Sequence, residues 1–515
     1  MFAKTIGAGI SGLNGVMISV EVDISNGIPG LDIVGLPDAS VRESKERVKA
    51  AIRNAGFEFP CRKIIVNLAP ADLKKDGSGL DLPIAIGILA ATGQVNHCDL
   101  NRIVLVGELS LDAQVRRIAG VLPMAIMCRE KGMGRFIVPA ANALEARAVG
   151  QVDVYTVDSL IMAVDVISGK SQGLTLDNTT TISEDTMTNS DDFRDVQGQF
   201  GAKRALEIAA AGGHNVLMSG PPGAGKTMLA RRIPSILPPM TIEEALEVSK
   251  IYSVAGLLGS SSGLVKNRPF RSPHHTVSAA AMAGGGRIPR PGEVTLAHHG
   301  VLFLDELPEF PRQVLEVLRQ PIEDGQVTVA RVNSSYTYPS QFMLISSMNP
   351  CPCGFQTDPD HECSCSEMEI KRYLHRISGP LMDRIDIHIC IPQVKYSEMT
   401  ATFENESSAS IALRVSTARK RQTERFKGAG IFCNAQMNHR QLHEFCQIGQ
   451  DAQQLLHQVF EKMKLNARSY DRIVKVSQTI ADIAGSNEIN AEHMSQAIQL
   501  RVAVGEVRNE SFKKK

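Results

Sequence analysis

No stretch of this chain is long and apolar enough to be a membrane span. Met1 to Asp23 is broken by glycines, Ser11 and Asn14, so a secretion signal is not expected either. Net charge is absent: 55 Lys and Arg balance 55 Asp and Glu, and global charge argues neither for nor against nucleic acid. No internal repeat is visible. Cysteine forms no disulfide framework. Four of the ten crowd between Cys351 and Cys365 and the rest are scattered singly, as in a reduced, cytoplasmic protein. What remains is an ordinary soluble composition, 43% hydrophobic and 21% charged. A chain of 515 residues exceeds what one core supports, so about three or four domains are expected.

Two segments lack one sign of charge. Residues 171–193 hold five acids, no base and few large apolar side chains, which predicts a solvated linker. Ile251 to Gly292 holds no acid, yet carries Lys266, Arg268, Arg271, Arg287 and Arg290 with three glycines from Gly284 and the pair His274 and His275. A flexible, wholly basic segment suits contact with nucleic-acid phosphates. Downstream, Val327 to Val332 and Tyr336 to Tyr338 read as a β-hairpin with Arg331 near its turn, a solvated edge hairpin being the other reading. Arg414 to Lys427 adds six bases against one acid, although a charged helical face is usually just solvated.

Between the linker and the basic segment lies a complete G-x-x-x-x-G-K-[ST] pattern: Gly220, Pro221, Pro222, Gly223, Ala224, Gly225, Lys226 and Thr227. It follows an apolar run, Asn215 to Ser219, and opens onto a helix-compatible stretch, Met228 to Ile233, which is the context a phosphate loop needs. Glycines let backbone N–H groups face the phosphates of ATP, Lys226 reaches the β- and γ-phosphates, and the Thr227 hydroxyl ligates Mg²⁺. Val301 to Leu304 reads as a buried strand ending in Asp305, expected in the Mg²⁺ shell, and Glu306, expected to activate water. A third strand, Gln341 to Met348, ends at Asn349, placed to sense the γ-phosphate. Loop, acidic pair and asparagine in that order are an AAA+ arrangement. Immediately after Asn349, Cys351, Cys353, Cys363 and Cys365 form C-x-C, nine residues, C-x-C. Four thiolates predict a structural Zn²⁺ site, with His361 able to replace one ligand and free thiols or a disulfide as the other readings.

The stretches Arg268 to Thr276 (RPFRSPHHT), Pro291 to Leu307, Asn349 to Gly354 (NPCPCG) and Arg376 to His388 resemble the ComM/YifB group of magnesium-chelatase-like AAA+ ATPases. The resemblance runs along nearly the whole chain. It implies a ring, usually a homo-hexamer, with ATP between protomers. It also implies DNA helicase activity, namely branch migration on single-stranded and branched DNA during natural transformation. Arg384 falls at the arginine-finger position, with Arg376 as runner-up and an intrachain salt bridge to Asp383 or Asp386 as the plainer reading. Arg468 matches the helical-lid arginine that contacts the γ-phosphate, a solvated helix face being its alternative.

The expected fold is α/β and multidomain. Residues 1–168 form an α+β domain, 169–193 a linker, and 194–398 an AAA+ P-loop doubly wound core with the four-cysteine insertion at 351–365. Residues 399–505 form a C-terminal helical lid and 506–515 a tail. Within the first domain, strands are expected at Val16 to Val22 and Arg62 to Leu68, with a helix from Arg42 to Ala55. That domain resembles the Lon-type protease fold, but in degenerate form. Gly79 falls where the catalytic serine would be, Ser78 stands one residue early, and Leu122 occupies the lysine position. Leucine cannot take a hydroxyl proton, so no peptidase activity is expected. Two other functions compete with a DNA motor. True magnesium-chelatase insertases lack the first domain and the cysteine insertion. Protein-unfolding rings grip with an aromatic-hydrophobic pore loop, which the basic segment does not offer.

Overall fold

Strands Phe2–Ser11 and Asn14–Ser25 pair antiparallel across a tight turn at Gly12 and Leu13, with Ile18, Val20, Val22 and Ile24 buried on one face. That two-residue alternation is what a strand with one buried face requires. The computed structural model describes residues 1–72, 74–75, 77–95, 100–174, 191–259, 263–286, 290–331, 334–358, 361–393 and 405–510. It divides into two units: Met1–Glu184 with Ile242–Lys266, and Asp185–Thr241 with Asn267–Lys515.

In the first unit these two strands lie inside a seven-stranded sheet. Its order is Gly30–Val34, Lys63–Ala69, Asn14–Ser25, Phe2–Ser11, Ile103–Leu105, Arg135–Pro139 and Asp153–Val157. The helix expected after Arg42 spans Ala39–Asn54. Asp38 caps it by accepting from the Val41 amide at 2.8 Å, and Gly56 lies just beyond its end at φ +81°. Segment 242–266, placed with the ATPase core by sequence order, instead packs in this unit. Its helix Ile242–Val254 reaches the Leu122 position, where the Ser253 carbonyl accepts from Gly120 N at 2.9 Å. Buried Glu145 collects the Leu122 amide at 3.0 Å, the Ser253 hydroxyl at 2.5 Å and the Asn142 amide at 2.8 Å. Sequence order hid this because nothing local says which core a helix will join. Most of the expected 169–193 linker lies outside the described residues.

The second unit is built on a five-stranded, all-parallel sheet. Its order is Phe270–Arg271, Val301–Leu304, Met343–Met348, Val216–Ser219 and Ile387–Cys390. The three central strands are buried along their whole length, which explains why they are mainly apolar, with Ser219, Ser346 and Ser347 as the exceptions. The third begins two residues later than expected, at Met343. Hairpin Gln326–Arg331 with Ser334–Pro339 forms as expected, and Arg331 is the last paired residue before the turn, opposite Ser334. Helices Ser408–Arg425, His439–Phe445, Gln450–Met463, Ala467–Ile483 and Ala491–Glu510 make the C-terminal region mainly helical. Among the described residues no helix is long and apolar enough to cross a membrane.

Candidate active site

Strand Val216–Ser219 delivers the chain into Gly220, packed so closely that a Cβ there would lie 2.3 Å from the Ile391 carbonyl oxygen. Gly223 and Gly225 take φ of +77° and +84°, left-handed values that let the loop curl into helix Lys226–Arg232. Lys226 Nζ donates to the carbonyls of Gly220 (2.7 Å) and Pro221 (2.9 Å) and to Asn349 Oδ1 (3.1 Å). Burial lowers the pKa of this ammonium, and Asp305 and Glu306 oppose that shift. Thr227 Oγ1 donates to Asp305 Oδ2 at 2.8 Å, and Asp305 Oδ1 accepts from the Ser347 hydroxyl. Loop, acidic strand and asparagine therefore meet at the C-terminal ends of the three central strands. Asn349 is carried there by a strand lying between the other two. The hydroxyl and carboxylate oxygens of Thr227 and Asp305 are the hard donors that suit Mg²⁺.

Glu306 differs from its neighbour. Its backbone sits at φ +52°, its amide donates to Asp305 Oδ1 (3.1 Å) and Ser347 Oγ (3.3 Å), and its side chain is 58% exposed. That leaves the carboxylate available to a water. Ser347 was missed from sequence, although the adjacent serines Ser346 and Ser347 in a buried, otherwise apolar strand were its signal.

Arg384 is 11% exposed and bound to the Glu323 carboxylate and the Pro380 carbonyl (2.8 Å), so its intrachain partner is Glu323 rather than Asp383 or Asp386. Arg376 pairs with Glu309 at 2.8 Å. Arg468 is exposed, one turn before Arg472 on the same helix. Arg472 donates to buried Asp386 at 2.5 Å. Burial alone would raise the Asp386 carboxyl, but Arg472, His214 and Lys475 hold it far below the usual range.

The basic residues divide. Arg268 donates to the carbonyls of Pro238 (2.6 Å) and His299 (2.7 Å), and Arg271 clamps Glu293 through two bonds of 2.7 and 2.8 Å. Both guanidinium groups thus serve internal contacts. Lys266 and Arg290 are exposed, and Arg287 lies outside the described residues.

The four cysteine sulfurs lie within 4.8 Å of one another. Pairs Cys351–Cys353, Cys353–Cys363 and Cys351–Cys363 are separated by 3.3, 3.5 and 3.7 Å. Those gaps far exceed a disulfide bond and approach the edge of about 3.8 Å that four Zn–S bonds of about 2.3 Å give a tetrahedron. Backbone amides point into the cluster: with that of Phe355 foremost, hydrogen bonds draw the Cys353 thiol down to about 6, whereas burial pushes Cys351 up to about 12. His361 stands apart, 3.2 Å from Asp358. The knuckle abuts the nucleotide loop, since a Cβ on Gly354 would meet Pro222 Cδ at 2.5 Å.

Three family models cover the chain: "Magnesium chelatase, subunit ChlI" over residues 192–399, "Subunit ChlI of Mg-chelatase" over 20–142, and "Magnesium chelatase, subunit ChlI C-terminal" over 405–501. The chain is 42% identical over 500 residues to competence protein ComM of Haemophilus influenzae, covering 96% of each chain. It is 42% identical over 491 residues to YifB of Escherichia coli, covering 95% of each. Identity to the magnesium-chelatase 67 kDa subunit of Chlorobaculum parvum is 29% over 164 residues, 31% of this chain and 23% of that one.

Proposed function

Since the chain belongs to the ComM/YifB family of magnesium-chelatase-like AAA+ ATPases, we propose that it is a ring-forming motor that hydrolyses ATP to move branches in DNA. The convergence of Lys226, Thr227, Asp305 and Asn349 carries the ATPase half of this reading. Lys226 would exchange its carbonyl and asparagine acceptors for phosphate oxygens, and Thr227 and Asp305 would hold Mg²⁺. That ion supplies neutralisation of charge on the β- and γ-phosphates. Glu306 takes a proton from water as the water oxygen bonds to the γ-phosphorus and the bond to the bridging oxygen breaks, giving ADP and phosphate. Arg384 and Arg468 are assigned to the transferring phosphoryl group, Arg384 by way of a neighbouring protomer. For that role Arg384 must leave Glu323.

The DNA half rests on the near full-length likeness to a competence protein and on the acid-free segment 251–292. A role in natural transformation follows from the same likeness, and a homo-hexamer working in the cytoplasm is its expected form. The phosphate contacts are assigned on exposure to Lys266 and Arg290, and on sequence alone to Arg287 and Arg331, with Arg268 and Arg271 ranked after them for their internal bonds. Binding should weaken steeply with salt, since each phosphate neutralised releases condensed cation. Replacing Lys266 and Arg290 together by alanine should flatten the log–log salt slope by about two contacts while DNA-free ATP turnover persists. Forked DNA at low salt that neither binds nor accelerates hydrolysis would end the DNA reading. The insertase alternative draws on the chelatase descriptions of the three family models and on a relative matched over 31% of this chain, whereas the likeness to the competence protein covers 96% of both chains.

The four-cysteine knuckle is assigned to Zn²⁺, held by Cys351, Cys353, Cys363 and Cys365. With no position left open, the ion is structural and stiffens the loop against which Pro222 rests. Protein purified without a metal-affinity tag should carry about one zinc per chain by elemental analysis. Cys363→Ser should lose that metal and keep ATP binding. Zinc retained at full occupancy would remove Cys363 from the ligand set. The first unit is read as a degenerate Lon-type scaffold. Ser78 donates to the Glu108 carboxylate rather than to a lysine, and buried Leu122 stands at the lysine position.

A further inference from the structure

Segment Ser272 to Val277 is anchored at both ends. Before it, Arg271 is clamped to Glu293 on strand Phe270–Arg271, which pairs with the strand leading to Asp305 and Glu306. After it, Ser278 caps helix Ala279–Ala283 by accepting from the Ala281 amide at 3.1 Å. Between the anchors, the His275 ring has two walls. The His274 ring lies 4.0 Å away, and the edge of buried Phe310 lies at 6.4 Å and 81°. His274 is itself held by Thr276, whose hydroxyl is 3.0 Å from His274 Nδ1. The ring so held turns its Nδ1 toward Glu306 Oε2, at 3.8 Å. Among the described residues, His275 is the one ion-pair partner of that carboxylate.

We propose that His275 is a positioning residue for Glu306, orienting the carboxylate so that one oxygen faces the attacking water. The inference rests on the reading of Glu306 as the base. An exposed glutamate turns freely about its last side-chain bonds, whereas proton transfer needs a lone pair aimed at the water within hydrogen-bond reach. Engaging Oε2 leaves Oε1 for that task. The separation of 3.8 Å is longer than a direct hydrogen bond, and contacts of this kind commonly tighten only when substrate is bound. Phe310 lies on the segment that follows Glu306, so base and ring share a support.

Steady-state ATP hydrolysis tests this in the full-length protein. His275→Ala should lower kcat by about 10- to 100-fold, the scale of an ångström of misplacement, with KM for ATP and binding of a fluorescent ATP analogue unchanged. His275→Asn places an amide nitrogen where Nδ1 stands and should restore most of the loss. The double variant His275→Ala with Glu306→Gln should be no slower than Glu306→Gln alone, because His275 acts only through that carboxylate. Parental kcat in His275→Ala beside an inactive Glu306→Gln would overturn the proposal, as would a His275→Asn protein as slow as the alanine variant. Further loss in the double variant would do the same. Full activity in Glu306→Gln would instead remove the assigned base, and the inference with it.

Discussion

Glu306→Gln should bind ATP as the parent does and hydrolyse it about 100- to 10,000-fold more slowly, the range a general base contributes. The reason lies in the division of labour between two adjacent carboxylates. Asp305 accepts from Thr227 and Ser347 on its two oxygens, which is why we assign it to the ion site and not to proton transfer. Glu306 has its backbone pinned by the same Ser347 and Asp305, while its carboxylate stands in solvent beside the mouth of the loop. Glutamine keeps the volume and the pinned backbone and removes only the basicity. Lys226→Ala should fail differently. Its ammonium bridges Gly220, Pro221 and Asn349, the space phosphate oxygens would take, so ATP affinity itself should fall. Equilibrium binding and single-turnover hydrolysis separate the two outcomes. A parental rate in Glu306→Gln would take the base assignment away.

The convergence of Lys226, Thr227, Asp305 and Asn349 was legible because these residues are local in sequence or end a buried strand. Gly220 to Thr227 is one loop, and Asp305 and Asn349 are each the first residue after a fully buried strand, wholly apolar before Asp305 and interrupted only by Ser346 and Ser347 before Asn349. Hairpin 326–339 and helix Ala39–Asn54 were legible for the same reason, being set by alternation, a cap and a terminal glycine. What sequence could not give was pairing at a distance. Arg268 and Arg271 count as bases in any linear reading, yet folding supplies carbonyls from Pro238 and His299 and the carboxylate of Glu293. Arg384 had two acids within two residues, and folding chose Glu323 from sixty-one residues away. Helix Ile242–Val254 has a polar serine, Ser253, that reads as surface until Glu145 and Gly120 are seen to bury it. Charge counts along a chain therefore do not tell which guanidinium groups folding will engage internally, whereas the curl of a glycine-rich loop is set locally.

Asp386→Asn should cost about 3–5 kcal/mol, the usual consequence of removing one partner from a buried ion pair. The carboxylate is fully enclosed. Arg472 reaches Oδ1 at 2.5 Å, the Asn215 amide reaches Oδ2 at 3.0 Å, and His214 Nδ1 lies 3.4 Å from Oδ2. Arg472 belongs to helix Ala467–Ile483, and Arg501 of the last helix donates to the Ile385 carbonyl next door. The helical region is thus pinned to the edge strand Ile387–Cys390 through one anion, and an amide there would leave Arg472 and Lys475 facing no charge. The same anion lies two residues beyond Arg384, and its partner one turn after Arg468, so both assigned phosphate-sensing arginines should be displaced and ATP turnover should fall with stability. The pH dependence has a definite sign. Asp386 has a folded pKa depressed far below the unfolded value of about 3.9, so its contribution is complete above about pH 4 and declines only as pH falls further. His214 is also depressed, burial disfavouring its charged form, so the unfolded chain takes up this proton first and stability falls as pH drops below about 6.5. Denaturant unfolding at pH 7.5 and pH 5 should therefore find the parent less stable at pH 5, with the gap between parent and Asp386→Asn still open because Asp386 remains ionised. Equal stability of the two proteins at pH 7.5 would mean that Arg472 and the lid helix are held by something other than this carboxylate.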